Sequence, residues 1–123
     1  MEHDEQAAFI DYCRWKGYLE RYVIAAIPNG AKLPWFRNKK GQRVAPQAKK
    51  LLREGLLPGF PDVGCFIPKG KTAGMFLEFK YAKNKCSDEQ LKIHKLLRSA
   101  GYTVVVVWSS EEAINALERY LNG

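Results

Sequence analysis

The segment Thr103–Trp108 limits the fold more than any other part of the chain. It reads Thr-Val-Val-Val-Val-Trp and carries no charged residue. A nearly all-apolar run of this length is typical of a central strand whose two faces are both covered. Ser87 with Gln90 before it, and Ser109 with Glu112 after it, have the spacing of a helix capping box. The sequence therefore predicts a sheet with helices packed on it.

Apolar spacing and turn residues predict the other elements. We expect helices over Asp4–Tyr22, Ala45–Glu54, Ser87–Ala100 and the segment after Ser109, and strands over Val23–Ile27, Asp62–Ile67, Met75–Lys80 and Thr103–Trp108. The first helix should end or bend at Gly17, and Ala31–Arg43 should be an exposed loop. The second and third strands suit an antiparallel hairpin. The order α-β-α-β-β-α-β-α predicts an α/β fold, a mixed sheet flanked by helices, in one domain over residues 1–123.

The chain has 123 residues and a net charge of +7, and the positive charge is concentrated in one segment. Between positions 31 and 54 a single acid, Glu54, stands against eight basic residues: Lys32, Arg37, Lys39, Lys40, Arg43, Lys49, Lys50 and Arg53. Such an excess predicts a polyanionic partner, either nucleic acid or an acidic membrane surface. We favour DNA, since this segment lacks the apolar face of an interfacial helix.

Targeting signals and cysteine usage point to the cytoplasm. No apolar run approaches the roughly 20 residues that span a bilayer. The acidic start of the chain does not resemble a signal peptide. The three cysteines are odd in number and widely spaced, as expected of free thiols in a reducing compartment. Among them, Cys65 is expected to be a small buried side chain.

The residues best suited to chemistry are Asp62, Glu78 and Lys80. Alternation along a strand places Glu78 and Lys80 on one face, opposite Leu77 and Phe79. A tight hairpin would bring the carboxylate of Asp62 close to Glu78. Two carboxylates beside one ammonium suit a hard cation such as Mg²⁺. The alternative is that Glu78 and Lys80 are an ordinary surface ion pair, since such pairs are common on strands.

The surrounding sequence resembles the PD-(D/E)XK nuclease superfamily, and within it the virus-type replication–repair nuclease (VRR-NUC) domain in its small stand-alone form. The resemblance is carried in order by Glu5-Gln6, Ala26–Gly30, Gly55–Val63, Leu77–Lys80, Ser87–Gln90 and Ala100–Tyr102. It covers nearly the whole chain. It implies a restriction-endonuclease-like core, in a phage or bacterial protein of replication or repair that acts in a bacterial cell or an infected host.

The resemblance also implies a role for individual residues. Asp62, Glu78 and the carbonyl of Phe79 would bind the metal, and Lys80 would orient or help deprotonate the attacking water. Glu5 would complete the metal site, although Glu2 and Asp4 are close enough to take its place. Gln90 would support Lys80 or the bound water. Its position also suits the third residue of a capping box, and both roles could hold.

The activity implied is that of a metal-dependent DNA endonuclease, using one or two Mg²⁺ or Mn²⁺ ions. Stand-alone members of the family further imply a homodimer acting on branched DNA such as four-way junctions. Two alternatives remain: a non-catalytic nucleic-acid-binding accessory module, and a restriction-type nuclease cutting duplex DNA at a sequence.

Four more side chains carry expectations. His94 lies in a lysine-rich stretch and is expected at the surface. Trp15 and Trp108 fall within apolar patterns and are expected in the core. Trp35, in the basic segment, suits stacking on a base or packing against a neighbouring subunit.

Overall fold

A computed structural model describes residues 2–28, 36–44 and 46–123. The helices are α1 (Glu2–Lys16), α2 (Tyr18–Arg21), α3 (Pro46–Arg53), α4 (Asp88–Ser99) and α5 (Ser110–Asn122). The strands are β1 (Ile24–Ala26), β2 (Phe36–Arg37), β3 (Arg43–Val44), β4 (Val63–Cys65), β5 (Met75–Phe79) and β6 (Thr103–Val107). No described helix has the length and apolar content that a membrane crossing requires.

The main sheet has four strands in the order β1-β4-β5-β6. Strand β4 pairs antiparallel with both β1 and β5, whereas β6 runs parallel to β5. The sheet is therefore mixed, and the predicted fold class and the hairpin of β4 with β5 are confirmed. The first helix ends at Gly17, as expected, where a φ of 75° begins the short α2.

The prediction that Thr103–Trp108 is a central strand is wrong. Among the described strands, β6 lies at the edge of the sheet, beside β5 alone. Its apolar composition has another cause, because α4 and α5 both pack against β6. An all-apolar strand thus indicates that both of its faces are covered, but it does not indicate how many strands lie beside it.

The hydrophobic core lies between the sheet and the helices α1 and α5. Leu77 and Phe79 project from β5 to this side, where they meet Phe9 of α1 and Leu117 of α5. The rings of Phe9 and Phe79 have their centroids 5.8 Å apart. Burying side chains of this size stabilises the fold by about 1.5–3 kcal/mol each. The opposite face of β5, which carries Glu78, is turned toward α4.

The prediction of an exposed loop over Ala31–Arg43 is wrong for its described part. Strands β2 and β3 form a small antiparallel hairpin, with Phe36 opposite Val44 and Arg37 opposite Arg43. The side-chain oxygen of Asn38 closes the turn by accepting from the backbone N–H groups of Lys40 and Gln42. Strands of two residues are too short to leave a periodic sequence pattern. Trp35 and Lys32 lie outside the described residues.

The predictions that Trp15 and Trp108 are core residues are also wrong. Trp15 is 79% exposed and Trp108 is 42% exposed. Trp15 follows the buried Cys13 by two positions, which is about 200° around a helix, so it points away from the core. Trp108 stands just beyond the last residue of β6, where the covering helices no longer enclose it.

The cysteines lead to a prediction about thiol reactivity. All three are free, Cys13 and Cys65 are buried as expected for Cys65, and Cys86 is half-buried. Burial raises the pKa of Cys13 to about 12 and also raises the pKa of Cys65 and Cys86. Because the thiolate is the reactive form, we expect slow alkylation by iodoacetamide at pH 8, first at Cys86. Mass spectrometry should find three modified thiols only after denaturation, and rapid alkylation of Cys13 in the folded protein would contradict this.

Candidate active site

Two buried carboxylates lie on neighbouring segments, Asp62 directly before β4 and Glu78 within β5. Val63, the first residue of β4, pairs with Leu77, so the chain at Asp62 runs beside the end of β5 that carries Glu78. The N–H of Asp62 donates to the carbonyl oxygen of Leu77 at 3.1 Å. The two acidic residues are 4% and 2% exposed. Val63 and Leu77 belong to the hydrophobic core, so alternation directs the neighbouring Asp62 and Glu78 side chains to the opposite face.

The Asp62 side chain is fixed against the backbone of β5. Its Oδ2 accepts a hydrogen bond of 2.8 Å from the N–H of Phe79. The N–H and C=O of one residue in an antiparallel ladder point toward the same neighbouring strand. The Phe79 carbonyl therefore projects from the same edge of β5 at which the Asp62 carboxylate lies.

The Glu78 carboxylate meets two side chains of α4. The amide nitrogen of Gln90 donates to Oε2 at 3.3 Å, and Nε2 of His94 lies 3.5 Å from Oε1. Gln90 and His94 are four residues apart and so stand on one face of the helix. Each oxygen of Glu78 thus has its own contact on the helix that covers this face.

Gln90 serves two purposes at once. Its side-chain oxygen accepts from the N–H of Ser87 at 2.8 Å, while Oγ of Ser87 accepts from the N–H of Gln90 at 3.2 Å. This reciprocal pair is a complete capping box at the start of α4. The amide oxygen serves the cap and the amide nitrogen serves Glu78, so the helix start and the carboxylate are held by one side chain.

The prediction that His94 lies at the surface is wrong. His94 is 1% exposed, and its ring contacts Glu78. Burial, and then the charges of Arg98 and Lys80, lower the pKa of His94 despite the opposing charge of Asp62. The neutral ring is therefore favoured, and donation from Nε2 to Glu78 leaves Nδ1 as an acceptor. Among the described residues Nδ1 has no hydrogen-bond partner.

A sequence signal for His94 did exist in its spacing. The lysine-rich neighbours Lys92 and Lys95 are exposed and suggest a solvated helix. His94, however, follows Gln90 by one helical turn, and a residue so placed faces whatever Gln90 faces. A prediction that Gln90 faces Glu78 therefore also predicts that His94 faces Glu78.

Lys80 extends from the end of β5 toward the same face. Its N–H donates to the carbonyl oxygen of Val107 at 2.8 Å, so the ladder with β6 continues past Phe79. Alternation then directs the Lys80 side chain to the side of Glu78. Its positive charge helps to lower the pKa of His94 and opposes the rise that burial causes in the pKa of Cys86. The structure therefore brings Asp62, Glu78, Lys80 and Gln90 together.

Glu5 lies elsewhere. Its Oε1 accepts a 2.8 Å hydrogen bond from the N–H of Ser110, the first residue of α5, where a negative charge also favours the helix dipole. In the described ranges, no group of three or more His, Cys, Asp or Glu side chains is spaced to hold a metal. Glu5 is thus not gathered with the two carboxylates, and its role as a ligand stays a prediction, as does the choice among Glu2, Asp4 and Glu5.

The basic residues are placed on exposed surface where the structure describes them. Those with described side chains are Arg37, Lys39, Lys40, Lys49, Lys50 and Arg53. Arg37 donates to the carbonyl oxygen of Gly41 at 2.8 Å and so stiffens the β2–β3 hairpin. Arg43 is described by its backbone alone. The hairpin and α3 directly precede the segment that leads into Asp62.

Gly59 sets the approach of that segment to α4. Its φ is +87°, and a Cβ there would stand 2.7 Å from the carbonyl carbon and oxygen of Glu89 and 2.8 Å from the nitrogen of Gln90. Only glycine avoids both the strained backbone and the collision. The chain before Asp62 therefore packs directly on the helical turn that carries Gln90.

Replacing Gly59 with Ala is expected to lower the free energy of unfolding by about 2 kcal/mol, because the first turn of α4 must move away. Urea unfolding measures this loss. Gly17→Ala is the matched control, since Gly17 has a φ of +75° with nothing within 4 Å of an added Cβ. Equal losses in the two variants would show that backbone strain, and not the contact with α4, sets the cost.

The carboxylate pair fits a magnesium-type cation. Mg²⁺ prefers oxygen ligands and is commonly held by one or two carboxylates, with water and substrate phosphate completing its shell. Asp62 and Glu78 supply two such carboxylates on neighbouring segments. The imidazole of His94 and the amide of Gln90 hold Glu78 from behind, as outer contacts of a metal ligand do.

Comparisons with known proteins identify the family and the fold. The family model of the VRR-NUC domain matches residues 15–111. A solved structure described as a VRR_NUC domain protein superposes with a TM-score of 0.77 at 21% identity. That match covers 98% of this chain and 88% of the other. No curated protein gives a significant match. On the family match, which spans most of its length, the chain belongs to the VRR-NUC domain family.

Proposed function

We propose that the chain is a metal-dependent DNA endonuclease that hydrolyses phosphodiester bonds at Asp62, Glu78 and Lys80. Membership of the family gives the coarse class, a nuclease-type domain that processes nucleic acid. The observation that carries the finer proposal is the pair of buried carboxylates, one directly before β4 and one within β5, with a lysine at the end of β5. A purely binding module has no use for two buried negative charges near DNA, because they repel phosphate.

Each residue has a role that follows from its position. A divalent cation, Mg²⁺ or Mn²⁺, would lower the pKa of a water and neutralise charge on a phosphoryl oxygen. Asp62 and Glu78 would bind it, with the Phe79 carbonyl as a further oxygen. Lys80 would orient the attacking water and stabilise the negative charge that grows on the phosphate. Gln90 and His94 would keep the Glu78 carboxylate in one orientation.

We also propose that this single domain acts on branched DNA as a homodimer. The exposed basic residues of the β2–β3 hairpin and α3 can contact phosphates without reading bases. A two-fold dimer presents two equivalent sites, which paired cuts on symmetric strands require.

The test is cleavage of four-way, flap and plain duplex DNA by the purified chain with Mg²⁺ or Mn²⁺, alongside light scattering. We expect metal-dependent cleavage, strongest on the branched substrates, by a particle of twice the chain mass. Asp62→Ala should abolish it and Lys80→Ala should slow it severely, and cleavage at an unchanged rate in both variants would refute the assignment. Salt-sensitive binding without any metal-dependent cleavage would favour the accessory-module alternative.

A further inference from the structure

Two large aromatic side chains are exposed where the two parallel strands end. Tyr81 follows β5 by two residues and is 45% exposed, and Trp108 directly follows β6 and is 42% exposed. The hydrogen bond from the Lys80 N–H to the Val107 carbonyl joins the two strand ends. Trp108 is thus the neighbour of Lys80 across the ladder.

Trp108 lies toward the carboxylate face of the sheet. Val106 pairs with Glu78, and alternation along β6 turns Trp108 to the side that Val106 and Glu78 share. The indole N–H donates at 3.1 Å to the carbonyl oxygen of Asn84, in the loop that leads from β5 to α4. This loop leads to α4, which covers the carboxylate face. The contact with Asn84 is therefore a second indication that the Trp108 ring lies on that face.

The ring is held in place although it is exposed. Besides the indole contact, the backbone N–H of Trp108 donates to Oε1 of Glu112 at 3.1 Å. Asn84 is itself held in a turn by its N–H bond to the carbonyl oxygen of Tyr81. A flat surface that is already ordered binds with little loss of conformational entropy. Trp108 is therefore suited to stacking on another flat group.

The charge around the two rings is positive. The loop from Lys80 to Ser87 contains Lys80, Lys83 and Lys85 and no acidic residue, and the last two lysines are exposed. Aromatic rings interleaved with cations are the composition of surfaces that bind single-stranded nucleic acid, where bases stack and phosphates meet lysine. Bases within an intact duplex are already stacked on each other and are not available to such a ring.

We propose that Trp108 forms a stacking platform for an unpaired nucleotide adjoining the Asp62–Glu78 site. The proposal rests on the proposed function for the identity of the substrate. The platform would make the protein prefer DNA with unpaired or splayed nucleotides, because such DNA gains a contact that plain duplex lacks. Trp108 binds substrate here and takes no part in the hydrolysis.

The test is equilibrium binding by fluorescence anisotropy in EDTA, so that no cleavage occurs, using a duplex with an unpaired tail and a blunt duplex of the same length. We expect Trp108→Ala to weaken binding of the tailed DNA about 10-fold and to leave the blunt duplex unchanged. Trp108→Phe should retain most of the affinity. The control is Trp15→Ala, since Trp15 is also an exposed tryptophan but lies on α1.

Each other outcome overturns the platform. Equal loss on both DNAs, no loss on either, or a wild-type chain that does not prefer the tail would contradict it. A change of particle mass by light scattering in Trp108→Ala would assign the patch to contact between two copies of the chain instead. Preferential tail binding without any metal-dependent cleavage would leave the platform standing and defeat only the endonuclease proposal.

Discussion

Replacing Lys80 with Ala is expected to lower the rate of DNA cleavage by about 10³-fold and to leave the fold intact. The side chain leaves the end of β5 toward Glu78, whereas its backbone N–H bond to Val107 does not depend on the side chain. The substitution therefore removes a positive charge from the reacting region without opening the ladder. Single-turnover cleavage at saturating protein measures the effect on chemistry, and thermal unfolding measures the fold.

Lys16→Ala is the matched control for the loss of one positive charge. Lys16 is exposed at the end of α1, on the side of the sheet opposite the carboxylates. The Lys16→Ala variant should cleave DNA at a rate within about threefold of wild type, as expected of an ordinary surface substitution. A Lys80→Ala variant as active as Lys16→Ala would show that the lysine has no part in the reaction.

Replacing His94 with Leu is expected to weaken Mn²⁺ binding and to slow cleavage, each by about 10- to 100-fold, the usual cost of removing a side chain that orients a metal ligand. Leu fills similar space but offers Glu78 Oε1 nothing in place of the contact at 3.5 Å. The carboxylate then loses one of the two contacts that hold it against α4. Calorimetric titration with Mn²⁺ gives the first quantity without any DNA.

His94→Gln separates a positioning role from a packing role. A glutamine amide nitrogen stands as many bonds from the backbone as Nε2 of histidine, so it can donate to the same oxygen. We expect His94→Gln to keep most of the wild-type Mn²⁺ affinity, whereas His94→Leu should show the full loss. If the two variants bind Mn²⁺ equally and differ only in unfolding temperature, His94 is a packing residue.

The juxtaposition of the two carboxylates could be predicted because it depends on short-range rules. Alternation decides which face Glu78 occupies, and a hairpin brings Asp62 close to it. Both rules act over a few residues and are visible in the sequence around Pro61 and Phe79. The antiparallel pairing of β4 with β5 confirms that part of the reasoning.

What could not be predicted depends on which surfaces meet across the fold. His94 and Trp15 both sit in helices, and their burial was decided by the face that each helix turns to the sheet. His94 stands among lysines and Trp15 falls within an apolar pattern at helical spacing, yet His94 is buried and Trp15 is exposed. The composition of a helix therefore does not predict which of its faces packs on the sheet, because a polar side chain such as His94 can be buried against Glu78. The edge position of β6 likewise depends on the whole sheet.

The central proposal is that Asp62 and Glu78 form a divalent-cation site, and Mn²⁺ titration by isothermal calorimetry in the absence of DNA tests it most directly. We expect saturable binding of one or two ions per chain by the wild type. Asp62→Asn and Glu78→Gln, which keep shape and remove charge, should each reduce the affinity at least 10-fold, and the double variant should show no binding. Unchanged Mn²⁺ binding in the double variant would contradict the proposal.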